Sequence, residues 1–281
     1  MNLTRFSLAA VLLFATGEGP LHSTETPAPT PGQTADPRQQ MNQEIATLRT
    51  ALSLMQLSRA KQTDEQIATT RKLYDDLIEH FPNEPEPHAA FGEYLLLIGR
   101  NEEAFQQWSI GLQLDPQRAD ILAAQSDLLL QTGQIVAAAD AMEKAAQLEP
   151  KNASHLYGLA HIYTLFRRDL MASRHLSEDE MITRGTEYFR QAAELAPENL
   201  IYAKAYAETF YTQPRPDWKL ARTAWESLLA RSSEKDFIHT QLVRINLQLR
   251  DKAAANAHLA ALTDPAFASV KAKLQRQVDQ L

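Results

Sequence analysis

Residues 85–118 read PEPHAAFGEYLLLIGRNEEAFQQWSIGLQLDPQR, and the next stretch, 119–152, reads ADILAAQSDLLLQTGQIVAAADAMEKAAQLEPKN. Laid one above the other without a gap, the two agree at the positions that shape a backbone. Counting each from 1, position 8 is Gly92 or Ser126, 15 is Gly99 or Gly133, 20 is Ala104 or Ala138, 24 is Trp108 or Met142, 27 is Gly111 or Ala145, and 32 is Pro116 or Pro150. A period of this length marks stacked copies of one supersecondary unit. The residue types say which unit. Small side chains at 8, 20 and 27 let two helices approach closely, while Phe91, Leu95, Leu129, Trp108 and Met142 fill the space beside them. Glycine at 15 ends the first helix where a left-handed residue is needed, and proline at 32 stops the second because it cannot donate the backbone bond of a continuing helix.

Outward from this core the period continues less evenly. Pro82, Pro116, Pro150, Pro197 and Pro265 close successive units. The unit from 153 has Leu159, Ala160 and Tyr163 in its first helix and Gly185, Phe189 and Ala192 in its second. The unit from about 200 has Tyr206, Ala207 and Phe210, then Ala221, Trp225 and Leu228, with a turn enlarged at Gln213–Asp217. The first unit, about 51–84, keeps Leu57, Ser58, Tyr74, Leu77 and Pro82 but lacks the glycine turn, and its leading helix is expected to start near Gln43. The last, 234–265, puts Gln241, Arg244 and Ala257 at positions 8, 11 and 24. Beyond it Phe267, Val270, Leu274, Val278 and Leu281 form one apolar stripe, the signature of a capping helix over 266–281.

These motifs resemble the tetratricopeptide repeat family, and the resemblance covers roughly residues 45–265. It implies an all-α, right-handed helical solenoid of about six helix–turn–helix repeats (51–84, 85–118, 119–152, 153–199, 200–233 and 234–265) plus the capping helix. It also implies a non-enzymatic scaffold whose first helices line a concave groove for a protein or peptide segment. The family's groove positions fall here on Glu86 and Glu93, Asp120 and Asp127, Tyr157 and His161, and Lys204, Glu208 and Tyr211, among others. Family members that clamp chaperone carboxylate tails carry Lys and Asn where this chain has Ala89, Glu93, Ala123 and Asp127, so that ligand is not expected. The acidic side chains instead favour a basic or neutral segment, or are simply solvated. Tyr157, His161 and Tyr211 supply the amphipathic area enriched in binding hot spots.

Between Phe166 and Gly185 the fourth repeat carries an excess, 169–181, with no glycine turn. The first helix is expected to run on past Tyr163 and Ser177 with Glu180 to restart a helix as a capping box, giving a protruding hairpin. Its charges pair with one another, or Leu170, Met171 and Leu176 at its tip make a secondary contact. Residues 1–17 read as a secretory signal: Arg5, then SLAAVLLFAT over 7–16, then small residues Ala15 and Gly17 before a cleavage point. A short uncleaved anchor is the alternative. Residues 18–40 hold five prolines and little that is large and apolar, the composition of a disordered linker.

The 281 residues carry a net charge of −7, no cysteine, 9 glycines and 14 prolines. A mildly acidic chain without a Lys/Arg block is not built to bind nucleic acid or an anionic membrane. Zero cysteine excludes disulfides and thiolate metal sites. No phosphate loop, nucleophile elbow or metalloprotease motif is present, and no cofactor or metal is expected. The reading is an exported interaction scaffold, and exported bacterial members of the family often serve envelope assembly or cytochrome maturation. Its rivals are a homo-oligomer that self-associates through the last repeats and a small-ligand site or enzyme built on Tyr157, His161 and Tyr211, which would need an enclosed apolar pocket.

Overall fold

The computed structural model describes residues 36–58 and 62–281, the side chains of 54–58 excepted. The expected signal, 1–17, and most of the expected linker lie outside the described residues. Among those described there are fourteen α-helices, a single 3-10 turn and no strand. In chain order the helices are α1 (Pro37–Ser58), α2 (Asp64–His80), α3 (Pro85–Leu97), α4 (Asn101–Leu114), α5 (Ala119–Gln131), α6 (Ile135–Leu148) and α7 (Ala153–Leu165). There follow α8 (Arg167–Arg174), α9 (Glu178–Leu195), α10 (Leu200–Thr209), α11 (Trp218–Leu229), α12 (Lys235–Gln248), α13 (Lys252–Ala260) and α14 (Ala268–Asp279). The chain divides into two compact units, one ending at Ile121 and the other beginning at Leu122, so the division falls within α5.

In the first unit α1, α2 and α4 all pack against α3. The rings of Tyr74, Phe91 and Tyr94 stack, with Tyr74 5.0 Å from Phe91 and 5.5 Å from Tyr94. Trp108 is also buried, and its indole Nε1 donates to the Ala89 carbonyl at 3.2 Å. That bond requires position 8 to be glycine: a Cβ on Gly92 would sit 2.3 Å from Nε1. The small residue at this position is a steric necessity for this hairpin. α1 begins earlier than the sequence suggests. Asp36 accepts from the amides of Arg38 and Gln40 and Pro37 opens the helix, so residues 37–40 are helical and the linker reading fails there. Proline at the first helical position after a capping Asp is a start signal; reading the stretch by composition alone hid it. Met41, Ile45, Leu48 and Leu52 then form the buried stripe of α1.

The second unit is a series of packed hairpins: α6 lies on α7, α7 pairs with α9 across the intervening α8, α9 lies on α10, and the series continues to α14. Gly99 in the first unit and Gly133 in the second both take φ 75°, the left-handed turn expected at position 15. The last repeat makes the same turn with Arg250, at φ 56°. This corrects its register. If Arg250 is position 15, the repeat starts at Asp236, and positions 8, 20, 24 and 27 are Val243, Ala255, Leu259 and Leu262. All four are buried. The two residues added at the turn after Phe210 carry through, and the exit before Pro265 is shortened instead. Gln241, Arg244 and Ala257 are therefore not signature positions. Leu274 and Val278 of α14 close over Val243 and Leu259, with Val270 packed at the margin. Leu281, the last member of the expected capping stripe, remains exposed.

The expected protruding hairpin is absent. α7 stops at Leu165, and Phe166 leaves helical geometry at φ −109°, ψ 24°. The short helix α8 then turns back onto α6, α7 and α9. Leu170 is completely buried, and so is Met181 of α9. Arg174 fixes the return by donating to Asp140 at 2.8 Å and to Glu143 at 3.1 Å, both on α6. Glu143 also accepts from the Tyr163 hydroxyl at 2.6 Å. His175, at φ 51°, ends α8, and Ser177 with Glu180 forms the anticipated capping box that starts α9. A sequence excess that carries its own apolar side chain folds back because burying Leu170 is worth roughly 1.5–3 kcal/mol, which an extended helix in water would forgo.

Candidate protein-binding face

The groove positions separate into two chemical groups. Glu86, Glu93 and Asp120 belong to the first unit, and each already has a cation. Arg49 of α1 reaches across to Glu93 with both nitrogens of its fork, Nε to Oε2 at 2.9 Å and Nη2 to Oε1 at 2.7 Å. Arg118 makes the same bidentate contact with Asp120 at 2.9 and 2.7 Å and lies 3.2 Å from Glu86. Loss of hydration alone would push the Asp120 carboxyl up; the hydrogen bond and charge of Arg118 outweigh it and hold it below its usual range. The acidic character of these positions is thus largely cancelled by arginines from α1 and the inter-repeat turn. Arg49 and Arg118 are not groove positions, and the sequence pattern gave no reason to pair them with the groove. Asp127, in the second unit, makes no ion pair among the described residues, and loss of hydration holds its carboxyl above the usual range.

The second unit gathers aromatic side chains. Tyr157 and His161, one turn apart on α7, meet edge to face at 4.5 Å. Phe189 of α9 backs both rings, at 5.6 Å from Tyr157 and 5.0 Å from His161. Tyr202 of α10 stacks on Tyr157 at 4.4 Å, tying the leading helices of two successive repeats together. Tyr202 was not among the expected positions; its place four residues before Tyr206 on the same helical face is the signal that could have found it. Burial lowers the His161 pKa below the ordinary imidazole value, which favours the neutral ring. The four rings are tightly packed with one another, yet Tyr157, His161 and Tyr202 remain only partly covered.

Two large aliphatic side chains stand free near the ends of these same helices. Leu165, the last residue of α7, is 68% exposed, and Ile201, beside Tyr202, is 66% exposed. Such exposure for isolated residues is common; here both belong to groove positions 13 and 2 of repeats four and five. Tyr211 does not join the aromatic group. Its ring faces Trp218 at 5.9 Å and its hydroxyl donates to Gln241 at 3.1 Å, with burial pushing its pKa up to about 12. Lys204 is likewise engaged, with Glu234 at 2.6 Å and above the Phe237 ring at 4.6 Å. Glu208 is exposed. Met171 and Leu176 are partly covered, and Leu170 lies in the core, so it is removed from the expected contact set.

An open depression of about 420 Å³ lies over Lys204, Glu234, Phe237 and Phe267, and another of about 440 Å³ over Arg71, Arg100 and Glu103. Neither takes in Tyr157, His161 or Tyr211. Among the described residues no group of three or more His, Cys, Asp or Glu could hold a metal ion, and no helix is long and apolar enough to cross a membrane.

No protein-family model matches the sequence, and no curated protein matches it. Solved structures do match in shape. YrrB, described as a TPR protein with an unusual peptide-binding site, aligns with a TM-score of 0.56 at 14% identity over 72% of this chain and 97% of its own. The pilF protein of Pseudomonas aeruginosa aligns with a TM-score of 0.56 at 15% identity, over 85% of this chain and 98% of its own.

Proposed function

We propose that this chain, whose fold is that of the tetratricopeptide repeat, is a non-enzymatic interaction scaffold that binds a neutral, apolar or aromatic protein segment on the leading helices of repeats four and five. The observation that carries this reading is the aromatic group of Tyr157, His161, Phe189 and Tyr202, flanked by exposed Leu165 and Ile201. Rigid, half-covered aromatic rings provide contact area with little entropy to lose, which is why they dominate binding hot spots. A peptide-binding neighbour of the same fold supports the class of ligand. The compensated state of Glu86, Glu93 and Asp120 argues against a basic segment as the preferred partner, because such a segment would have to displace Arg49 and Arg118. The reading extends to export, on the strength of the apolar run at 7–16, and leaves homo-oligomerisation as a secondary use of the same fold.

Selection of random displayed peptides against the full chain tests this. The expected winners are neutral and carry aromatic or aliphatic anchors. Their affinity, measured by fluorescence anisotropy, should fall about tenfold or more in a Tyr157→Ala/Tyr202→Ala double variant, since a hot-spot truncation removes on the order of 2 kcal/mol. Glu93→Lys with Asp127→Lys should change it little. Basic winners whose binding follows the charge reversal would overturn the proposal. Export is tested separately by fusing residues 1–40 to a reporter that is active only after translocation; retention of the reporter in the cytoplasm would sink that part.

A further inference from the structure

Repeats two and six fill the same inter-helix slot with different chemistry. In repeat two, position 4 is His88 and position 23 is Gln107, and the His88 ring Nδ1 meets Gln107 Oε1 at 2.7 Å. With repeat six counted from Asp236, its positions 4 and 23 are His239 and His258, and the two Nδ1 atoms meet at 3.0 Å. The ring centroids are 5.2 Å apart, close to the nitrogen separation plus the two nitrogen-to-centre distances, so the nitrogens face one another nearly head on. This is a hydrogen bond in which one imidazole donates and the other accepts.

The two slots respond differently to acid. In repeat two the partner of His88 is an amide oxygen, which accepts and has no basic nitrogen to take up a proton. In repeat six the first proton can go to the outer Nε2 of the donating ring and leave the bond intact. The second must go to the accepting Nδ1, which destroys the bond and sets two cations about 3 Å apart, a like-charge contact that strongly disfavours the doubly charged state.

We infer that His239 and His258 form a proton-sensitive latch that holds α13, and with it the capping helix α14, against α12 at neutral pH and releases them in mild acid. Charges acting on the pair come from α12, as Asp236 and Lys235, and from α11, as Glu226 and Arg222; α13 supplies only His258 itself, and α14 supplies none that acts on either ring. On each helix the carboxylate and the cation act in opposite directions. Burial, the largest influence on both rings, lowers both pKa values, with the His239 charge adding to the effect on His258. A depressed imidazole means the unfolded or released state binds more protons, so the stabilisation is present above the ordinary value of about 6.5 and is lost as pH falls below it. Release would uncover Val243, Leu259, Leu274 and Val278, now a closed apolar cluster between α12, α13 and α14.

Amide exchange of the full chain at pH 7.5 and 5.0, corrected for intrinsic rates, reads the latch. Protection across 252–279 should fall severalfold at pH 5.0, while protection of the His88–Gln107 hairpin, residues 85–114, stays unchanged. In His258→Gln, which recreates the slot of repeat two, the fall should vanish. An equal loss in both hairpins, no loss in either, or an undiminished loss in the variant would refute the inference. Should the variant not fold, the imidazole Cε1–H signals of the unaltered protein decide. Two separated titration steps, the second well below 6.5, are expected; two independent steps near 6.5 would overturn it.

Discussion

Replacing Gly92 with alanine adds one methyl group, and the structure shows where it must go. The new Cβ would lie 2.3, 2.5 and 2.8 Å from Nε1, Cδ1 and Cε2 of Trp108, about an ångström inside ordinary contact. Trp108 is 1% exposed, so its indole cannot give way without disturbing the core around it. Moving the indole breaks its bond to the Ala89 carbonyl, so two penalties combine. Overpacking a filled core costs about 1–3 kcal/mol, and leaving a buried donor unpaired costs about 1–3 kcal/mol. Alanine's better helix propensity returns about 1 kcal/mol, for a net loss on the order of 1–5 kcal/mol. Urea unfolding followed by circular dichroism should show a lower midpoint for the transition that includes the first unit, with amide protection falling across α3 and α4. The double variant Gly92→Ala/Trp108→Leu should lose less than the sum of its parts, because the smaller side chain makes room. If Gly92→Ala is as stable as the unaltered protein, or more so by its helix propensity alone, the steric account of position 8 is wrong. Gly158→Ala is the control: its Cβ meets only the flexible end of Met142, at 3.1 Å, and should be near neutral.

Other substitutions test the corrected parts of the fold. Arg250→Gly should stabilise the last hairpin by about 0.5–1 kcal/mol, because only glycine takes φ 56° without a Cβ penalty; Gly133→Ala should destabilise by a similar amount, and equal melting of either variant with the parent would refute the shared turn. Leu170→Ala should cost about 2–5 kcal/mol in chemical unfolding, as expected for a fully buried leucine; an unchanged midpoint would return Leu170 to the surface. Arg174→Ala should raise exchange in α8 while leaving α11–α13 untouched, since its partners Asp140 and Glu143 lie on α6; spread of the change to α13 would contradict a local clamp.

The sequence alone determined the repeat because its constraints are local and recur. A glycine at a positive φ, a proline after a helix and a small residue facing a large one each act within a single hairpin, so Gly99, Gly133, Pro116 and the Gly92–Trp108 pair could be read without coordinates. It also determined that Tyr157 and His161 share a face, since they are four residues apart on one helix. Tertiary structure decided what depends on partners distant in the chain. Whether an excess protrudes or folds back turns on a receiving surface, here the gap that takes Leu170 and the carboxylates on α6 that take Arg174. Whether a groove is acidic turns on which cations reach it, and Arg49 comes to Glu93 from forty-four residues away. The register of the last repeat, which a count back from Pro265 misplaces, emerged only from the backbone angle of Arg250, and with it the facing of His239 and His258.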